Sequence, residues 1–504
     1  GIERVLKVAI GVAFGLMGAF FMAGMYVAAA LGCLSLIMMY FFSDAPLWNI
    51  MANKAWESNT SFILVAVPLF VLMGELMNRS GMGEKMYTVI SKWIFFLPGG
   101  LIHTNIVSCA IFAACSGSSV ATSATISRVS LPSFRQRGYS ERMVIGSLAA
   151  GGTLGILIPP SISLIIYGVL VEESIGRLYL AGFIPGFMLA GIFMLMIAGL
   201  AIVWKGMAPR EEGASFSSVA GWVDRIVSLV GLVPMIVLIL IVLGSIYAGI
   251  ATPSEAAAFG VSGAFVLAVL MNSQGITAPI LAKFLMLTGL INIVSDSFKE
   301  EMRSHRMPDG AMWRQTVNTN WDIVLSAMIS TMRTTGMIFL IILAAFTLSF
   351  AFARLGISAQ IADQITSWDL SPTMLVLVLI VFYLILGTFM ESFAMMVTTV
   401  PILVPTLEQA GVDLVWFGII MVILVEAALI SPPEGINLYV LHGVRQDVDR
   451  EQAELANEVL KESTIADVWI GVLPFMACMG ITVILVMLFP QIALWLPDLV
   501  KGGR

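Results

Sequence analysis

Between Lys92 and Arg128 the chain carries no Asp, Glu, Lys or Arg, and between Asp369 and Glu408 it carries one, Glu391. Stretches this apolar are not the surface of a soluble domain. Further apolar runs lie at about 5–42, 60–78, 143–171, 177–204, 225–250, 254–272, 322–353, 414–441 and 467–493. A hydrocarbon core of ~30 Å takes about 20 helical residues, so these runs read as spans, the first as one long or two short ones. Bulk composition agrees: 59% hydrophobic and 12% charged, with a mean hydropathy of +0.96. Disorder, collagen, a disulfide-stapled secreted domain and an ordinary cytosolic enzyme are excluded. Lys+Arg 26 against Asp+Glu 32 gives −6, with no basic excess for nucleic acid. The chain reads as an all-α polytopic membrane protein surrounded by lipid.

Arg4 and Lys7 precede an Ala/Gly-rich run that continues to Phe42, far past a signal-peptide core, so it reads as retained membrane segment. Cys33, Cys109, Cys115 and Cys478 sit in apolar segments without metal-ligand spacing. Trp sits mostly near segment ends, as in an interfacial belt.

The two nearly charge-free stretches differ from the spans. Their centres are polar: Cys115-Ser116-Gly117-Ser118-Ser119 and Gly387-Thr388-Phe389-Met390-Glu391-Ser392. Arms of about 15 residues on either side are short for a crossing. Each is two full spans or a re-entrant helical hairpin, and the short arms favour the hairpin, at about 95–133 and 370–407, with its tip at mid-membrane.

Two halves match at an offset of about 275 residues. Ser80-Gly81-Met82 precedes Val89 to Trp93, as Leu355-Gly356-Ile357 precedes Gln364 to Trp368. Ile158-Pro159-Pro160-Ser161-Ile162-Ser163-Leu164 faces Ser431-Pro432-Pro433-Glu434-Gly435-Ile436-Asn437-Leu438. Arg135, Arg137, Arg142, Lys205, Arg210, Arg445 and Arg450 mark one side of the membrane, Glu172 and Glu173 the other. Taking the basic side as cytoplasmic, the first hairpin enters from the cytoplasm and the second from outside, so the repeats are inverted. The expected divisions are 1–58 and 205–272 as scaffold, 59–204 and 322–443 as the two repeats, and 273–321 as a cytoplasmic or interfacial insertion. They end with 444–466 as a cytoplasmic helix or loop and 467–504 as a C-terminal membrane helix. Within the insertion, about 276–298 reads as an interfacial amphipathic helix.

Proline lacks an N–H and clashes with the preceding turn, so Pro159-Pro160 and Pro432-Pro433 predict two broken transmembrane helices. A break frees carbonyls that suit Na⁺ and N–H groups that suit an anion. Ser116, Ser118 and Ser119 add hydroxyls opposite Gly152 to Ile158. In the second half Gly387, Thr388 and Ser392 face Ala428 to Ser431. This pattern predicts two cation sites with a substrate between the tips. Glu391 and Glu434 are intramembrane carboxylates, functional by default; for Glu391 the alternative is a cap on a hairpin helix, and for Glu434 a role of its backbone oxygen. Two rivals are weaker. A channel needs a polar pore that the second repeat lacks. An intramembrane hydrolase with Ser118 as nucleophile and His103 as base leaves the repeat unexplained.

Val67-Pro68-Leu69-Phe70-Val71-Leu72-Met73-Gly74, Ser116-Gly117-Ser118-Ser119-Val120-Ala121 and Gly152 through Ser161 resemble the large membrane subunit of TRAP (tripartite ATP-independent periplasmic) transporters. Gly249 through Ala257, Gly387 through Glu391 and Ser431 through Leu438 extend the resemblance to nearly the whole chain, apart from the insertion. The resemblance implies a non-enzymatic, Na⁺-driven importer of organic acids in a bacterial or archaeal inner membrane, with a scaffold and an elevator transport domain. It implies a periplasmic substrate-binding protein and a small four-helix membrane subunit on a separate chain. It implies two or more Na⁺ and no organic cofactor. By similarity one Na⁺ site falls on Ser116, Ser119, Gly155, Ile158 and Pro160. The other falls on Gly387, Ala428, Ser431 and Glu434, and substrate contacts on Ser118, Ser161 and Glu391. The chain departs from the family pattern in Ser431 for Thr, Ala428 for Gly and Glu434 for an apolar residue. The alternative reading is another inverted-repeat, ion-coupled anion transporter that acts without a binding protein.

Overall fold

A computed structural model describes residues 2–43, 52–53, 56–57, 59–135, 137–204, 206–209, 219–273, 310–388, 390–433, 435–456 and 464–501. Among them the regular structure is entirely helical. Two helices open the chain, α1 (Ile2–Met22) and α2 (Val27–Phe42). The 5–42 run is therefore two helices, parted where Gly24 takes a φ of 70°.

A first unit follows: α3 (Ala66–Arg79), α4 (Met82–Ile94), α5 (Leu101–Ser116), α6 (Ser119–Arg135), α7 (Glu141–Thr153), α8 (Ile162–Leu170) and α9 (Ile175–Val203). Three helices lead away from it: α10 (Val219–Ser228), α11 (Val233–Tyr247) and α12 (Pro253–Asn272). A second unit repeats the order: α13 (Gly310–Arg354), α14 (Ile357–Thr366), α15 (Pro372–Leu386), α16 (Ser392–Gln409), α17 (Leu414–Leu429), α18 (Ile436–Ala456) and α19 (Ile465–Leu488). A last helix, α20 (Gln491–Lys501), packs on α9. The correspondence reaches local detail. Gly81 and Gly356 each hold the left-handed conformation that starts α4 and α14. Both breaks contain a cis Pro–Pro bond.

The two breaks fall where the proline pairs predict, and one boundary shifts. The 143–171 run is α7 and α8, separated by a tight turn at Leu154–Ile156 and the proline pair. The 414–441 run likewise divides into α17 and α18, and α18 continues as one helix to Ala456. Helix α13 begins at Gly310, ahead of the 321 boundary, because polar residues 314–322 continue its helix beyond the apolar stretch. The 276–298 segment lies outside the described residues.

Six helices among the described residues are long and apolar enough to cross a membrane: Phe62–Arg79, Ile175–Val203, Arg225–Tyr247, Pro253–Asn272, Gly310–Arg354 and Ile465–Leu488. Outward faces are greasy on these helices and on shorter apolar ones. Helix α11 exposes Val233, Ile236, Val237, Leu240 and Ile241, and α15 exposes Leu377, Val378, Val381 and Phe382. Apolar surface on this scale belongs against lipid. By contrast α17 is enclosed, with Val415 through Leu429 all buried. A helix that is apolar all round occupies such a central place.

The two units are interlocked. Helix α7 of the first packs on α19 of the second, and α6 packs on α18. The α7–α19 crossing is a backbone contact: a Cβ on Gly146 would stand 2.0 Å from the Gly471 carbonyl oxygen, and one on Gly471 would stand 2.3 Å from the Arg142 carbonyl oxygen. Near that crossing Arg142 Nε pairs with Asp467 Oδ1 at 3.0 Å. The matching helix starts, α17 and α9, are joined by Asp413 and Arg177 at 3.4 Å with the charges exchanged.

Gly146→Ala is therefore expected to force the helices apart and lower the melting temperature of the purified protein, at a cost of about 1–3 kcal/mol. Gly480→Ala on α19, where a Cβ meets nothing within 4 Å, is the control and is expected to leave the melting temperature unchanged or raised. Equal melting for both variants would show that the crossing tolerates a wider spacing.

Candidate functional site

The turn between α5 and α6 lies against the first break. Gly117, with φ 58°, closes α5 by a left-handed residue. A Cβ there would sit 3.2 Å from the Pro160 carbonyl oxygen. A Cβ on Gly155 would sit 3.2 Å from Ser118 C and O and 3.4 Å from Ser119 N. The backbones of turn and break are thus nearly in contact. Thr122 Oγ1 holds the turn, donating to the Ser118 carbonyl at 2.8 Å and sharing a hydrogen bond of 2.7 Å with Ser116 Oγ. Asn437, from α18 of the second unit, donates through Nδ2 to Ser119 Oγ.

The second unit has the same layout with different residues. A Cβ on Gly387 would stand 2.8 Å from the Ala428 methyl, so the α15–α16 turn rests on the end of α17. Ser392 Oγ donates to the Val425 carbonyl at 3.3 Å. Glu391 caps α16, its Oε2 accepting the Ala394 N–H at 2.9 Å. Ser431 carries its N–H toward Ala428 O at 3.3 Å, and its carbonyl accepts from Gly435 N at 2.9 Å. Glu434 lies outside the described residues.

Both turns open onto one cavity of about 920 Å³. Its wall includes Ser116 through Ala121 from the first turn and Glu391 to Phe393 from the second. Ile156 and Ile162 come from the first break, Leu429 and Ile436 from the second. The far side is α3 (Val71, Gly74, Glu75, Asn78), α13 (Thr334 to Ile341) and the link from Gly24 to Ala28. Four helices begin at this wall: α6 at Ser119, α8 at Ile162, α16 at Ser392 and α18 at Ile436. Helix N-termini present free N–H groups and the positive end of the dipole. Three helical segments end there as well, α5 at Ser116, the turn after α7 at Ile156 and α17 at Leu429, presenting carbonyl ends.

Charge in the described lining is confined to two carboxylates, Glu75 and Glu391. Glu75 is compensated: Arg79 Nε lies 3.2 Å from Oε2, and Ser330 Oγ donates to Oε1 at 2.8 Å. Glu391 has backbone N–H groups and no basic partner among the described residues.

Of the residues expected in the site, Ser116, Ser118, Ser119 and Glu391 line the cavity. Gly155 and Pro160 stand behind the first turn and Ala428 behind Gly387. Ser161 does not line it. Its buried hydroxyl accepts the Leu164 N–H at 3.2 Å and donates to the Ile156 carbonyl, so it caps α8. Two residues on, Ser163 lines the cavity with its hydroxyl unpartnered. His103 lies at the far end of α5 from Ser118, bonded to the Pro98 carbonyl at 2.6 Å. Most of the 16-residue helix α5 separates nucleophile and base of the hydrolase reading. Sequence reasoning passed over Glu75, Glu426 and Asn437. The first two are charges within apolar runs, the signal that singled out Glu391; Asn437 stood unremarked in the second Pro-Pro motif.

Ser161→Ala is expected to lower the melting temperature by the loss of a helix cap, about 1 kcal/mol. Ser163→Ala removes no hydrogen bond and is expected to leave it unchanged. The reverse order in a thermal melt would show that Ser163, not Ser161, holds the break.

Residues 14–492 match the family described as tripartite ATP-independent periplasmic transporter, DctM component. The chain is 27% identical over 494 residues to the C4-dicarboxylate TRAP transporter large permease protein DctM of Vibrio cholerae, covering 98% of each chain. It is 29% identical over 493 residues to the sialic acid TRAP transporter large permease protein SiaM of the same species, covering 98% of this chain and 99% of that one. Among solved structures, the YdaH transporter of Alcanivorax borkumensis shares the fold at a TM-score of 0.57, with 13% identity over 97% of this chain and 99% of that one.

Proposed function

The chain belongs to the tripartite ATP-independent periplasmic transporter family, as a DctM component, and from that premise we propose that it imports an organic acid anion by Na⁺ symport. A periplasmic binding protein delivers the substrate, and a separate small membrane subunit braces the scaffold. The observation that carries this reading is the convergence of four helix N-termini on one cavity walled by both units. Such ends favour a carboxylate or sulfonate. The carbonyl ends beside them favour Na⁺.

The two turn-linked pairs act as re-entrant hairpins. Their arms have 16 and 17 residues in the first and 15 and 18 in the second. At 1.5 Å per residue an arm reaches about 24 Å, short of a ~30 Å core. With tips meeting at one cavity, the units enter from opposite faces. Ser116, Ser119 and the carbonyls of Gly155, Ile158 and Pro160 hold one Na⁺. Gly387, Ala428, Ser431 and Glu434 hold the other. Ser118 and Glu391 contact the substrate, and Ser163 joins them from the cavity wall.

In the cycle, Na⁺ first orders each turn against its break. The anion then enters between them. The loaded body of hairpins and breaks slides past α3 and α13, which form the opposite wall. Each net charge contributes about 2.3 kcal/mol per 100 mV, so two drive substantial accumulation without ATP.

Reconstitution with the cognate binding protein tests this. Uptake is expected to require both an inward Na⁺ gradient and the binding protein. Uptake without the binding protein points to the alternative transporter class, and conductance without substrate points to a channel. Ser119→Ala is expected to raise the Na⁺ concentration for half-maximal uptake; an unchanged Na⁺ dependence removes Ser119 from the site.

A further inference from the structure

Helix α17 carries a carboxylate that neither the cavity nor the two sodium sites use. Glu426 is fully buried, and neither of its oxygens has a hydrogen-bond partner among the described residues. It faces the backbone of Leu157, outside hydrogen-bonding geometry, in the first unit's break. The Leu157 N–H is turned instead toward the Leu154 carbonyl at 3.3 Å. A bare carboxylate in such a place is costly unless something neutralises it.

A second group of the same unit ends in the same region. Asn437 is fully buried and donates to Ser119, while its Oδ1 has no partner among the described residues. Ser119 N lies beside Gly155, and Gly155 is two residues from Leu157. Two oxygen-bearing side chains of the second unit therefore end, unsatisfied, at the turn and break of the first. The residues at the matching places in the first unit are Thr153 and Ser163. Neither carries charge, and Thr153 bonds within its own helix, to the Ala150 carbonyl at 2.8 Å.

We propose that the cation site at the first break is composite: Glu426 of the second unit supplies its negative charge and Asn437 an oxygen. Carbonyls of an unwound segment together with a carboxylate and an amide oxygen form a hard oxygen set of the kind that takes Na⁺. At the second break those two matching residues of the first unit supply no counter-charge, so only the first site is composite. Occupancy of the first site also ties the units together, because its ligands come from both.

The inference rests on the sodium coupling proposed above. The test is thermal unfolding of the full chain in detergent, with Na⁺ titrated against choline at constant ionic strength. Wild type is expected to be stabilised by Na⁺. Glu426→Gln is expected to raise the Na⁺ concentration for half-maximal stabilisation by about tenfold or more. Glu426→Asp, with the charge on a shorter arm, is expected to fall between them. A wild-type Na⁺ response in Glu426→Gln overturns the inference, leaves sodium coupling standing and marks Glu426 as a buried neutral acid. No Na⁺ response in wild type overturns both readings. Should Glu426→Gln not fold, Glu426→Asp decides: a weakened response supports the composite site, and an unchanged one overturns it.

Discussion

A peptide group that has lost its helical partner costs several kcal/mol in hydrocarbon unless another group satisfies it. The centre of this protein is arranged around two such losses, at Pro159-Pro160 and Pro432-Pro433. Each break is covered by the turn of its own unit. The cover works only at backbone distance. Gly117 lies opposite Pro160 O, Gly155 opposite Ser118, and Gly387 opposite Ala428. A methyl group at these glycines would push turn and break apart and leave both polar backbones bare. The same closeness holds α3 to the site, since a Cβ on Gly74 would stand 2.4 Å from the Ser116 carbonyl oxygen.

The electrostatics of the cavity are finely balanced. A helix N-terminus is worth about 0.3–1 kcal/mol to an anion, and up to about 2 where partly buried. Four begin here, but Glu391 already occupies the start of α16 through its own cap. Against this, two like charges 4 Å apart repel by about 4 kcal/mol at an effective dielectric of 20. An anion beside a bare Glu391 therefore gains little from the remaining three helix ends. Something must offset Glu391, either a cation or hydrogen-bond donors on the substrate. On the proposed reading, cation binding and anion recognition are one arrangement, because carbonyl ends and N–H ends alternate around the same wall.

Much of the fold was legible in the sequence. The repeat, the two turns and the two breaks each leave a local mark: Gly-Ser clusters, a proline pair and a gap in the charge pattern. Polar residues at these points have no helical partner, and that is why they stand out. Helix ends were less legible. The α13 start at Gly310 continues into polar sequence, and hydropathy does not register a helix leaving the membrane. The site was legible where a residue sits on a turn, as with Ser116, Ser118, Ser119 and Glu391. It was not legible where the decisive fact is which oxygen a hydroxyl bonds. Ser161 and Ser163 are indistinguishable in sequence, yet one caps α8 and the other faces the cavity. Asn437 and Glu426 matter through contact with the other unit, and no local pattern encodes that.

Sequence divergence between the two units then acquires a physical meaning. Backbone geometry is kept: left-handed glycines, breaks and turn contacts recur in both. Charge is not. In both ion pairs, at the α7–α19 and the α9–α17 starts, the Arg is on the first unit and the Asp on the second. Each pair therefore joins unlike partners, so each unit pairs with the other rather than with a copy of itself. The same logic applies inside. Glu426 stands where the first unit has the uncharged Thr153, so only one of the two units carries a carboxylate at this place. Two identical copies would set Arg against Arg or Asp against Asp at both ion pairs. Backbone symmetry with broken charge symmetry is what lets a repeated fold close on itself.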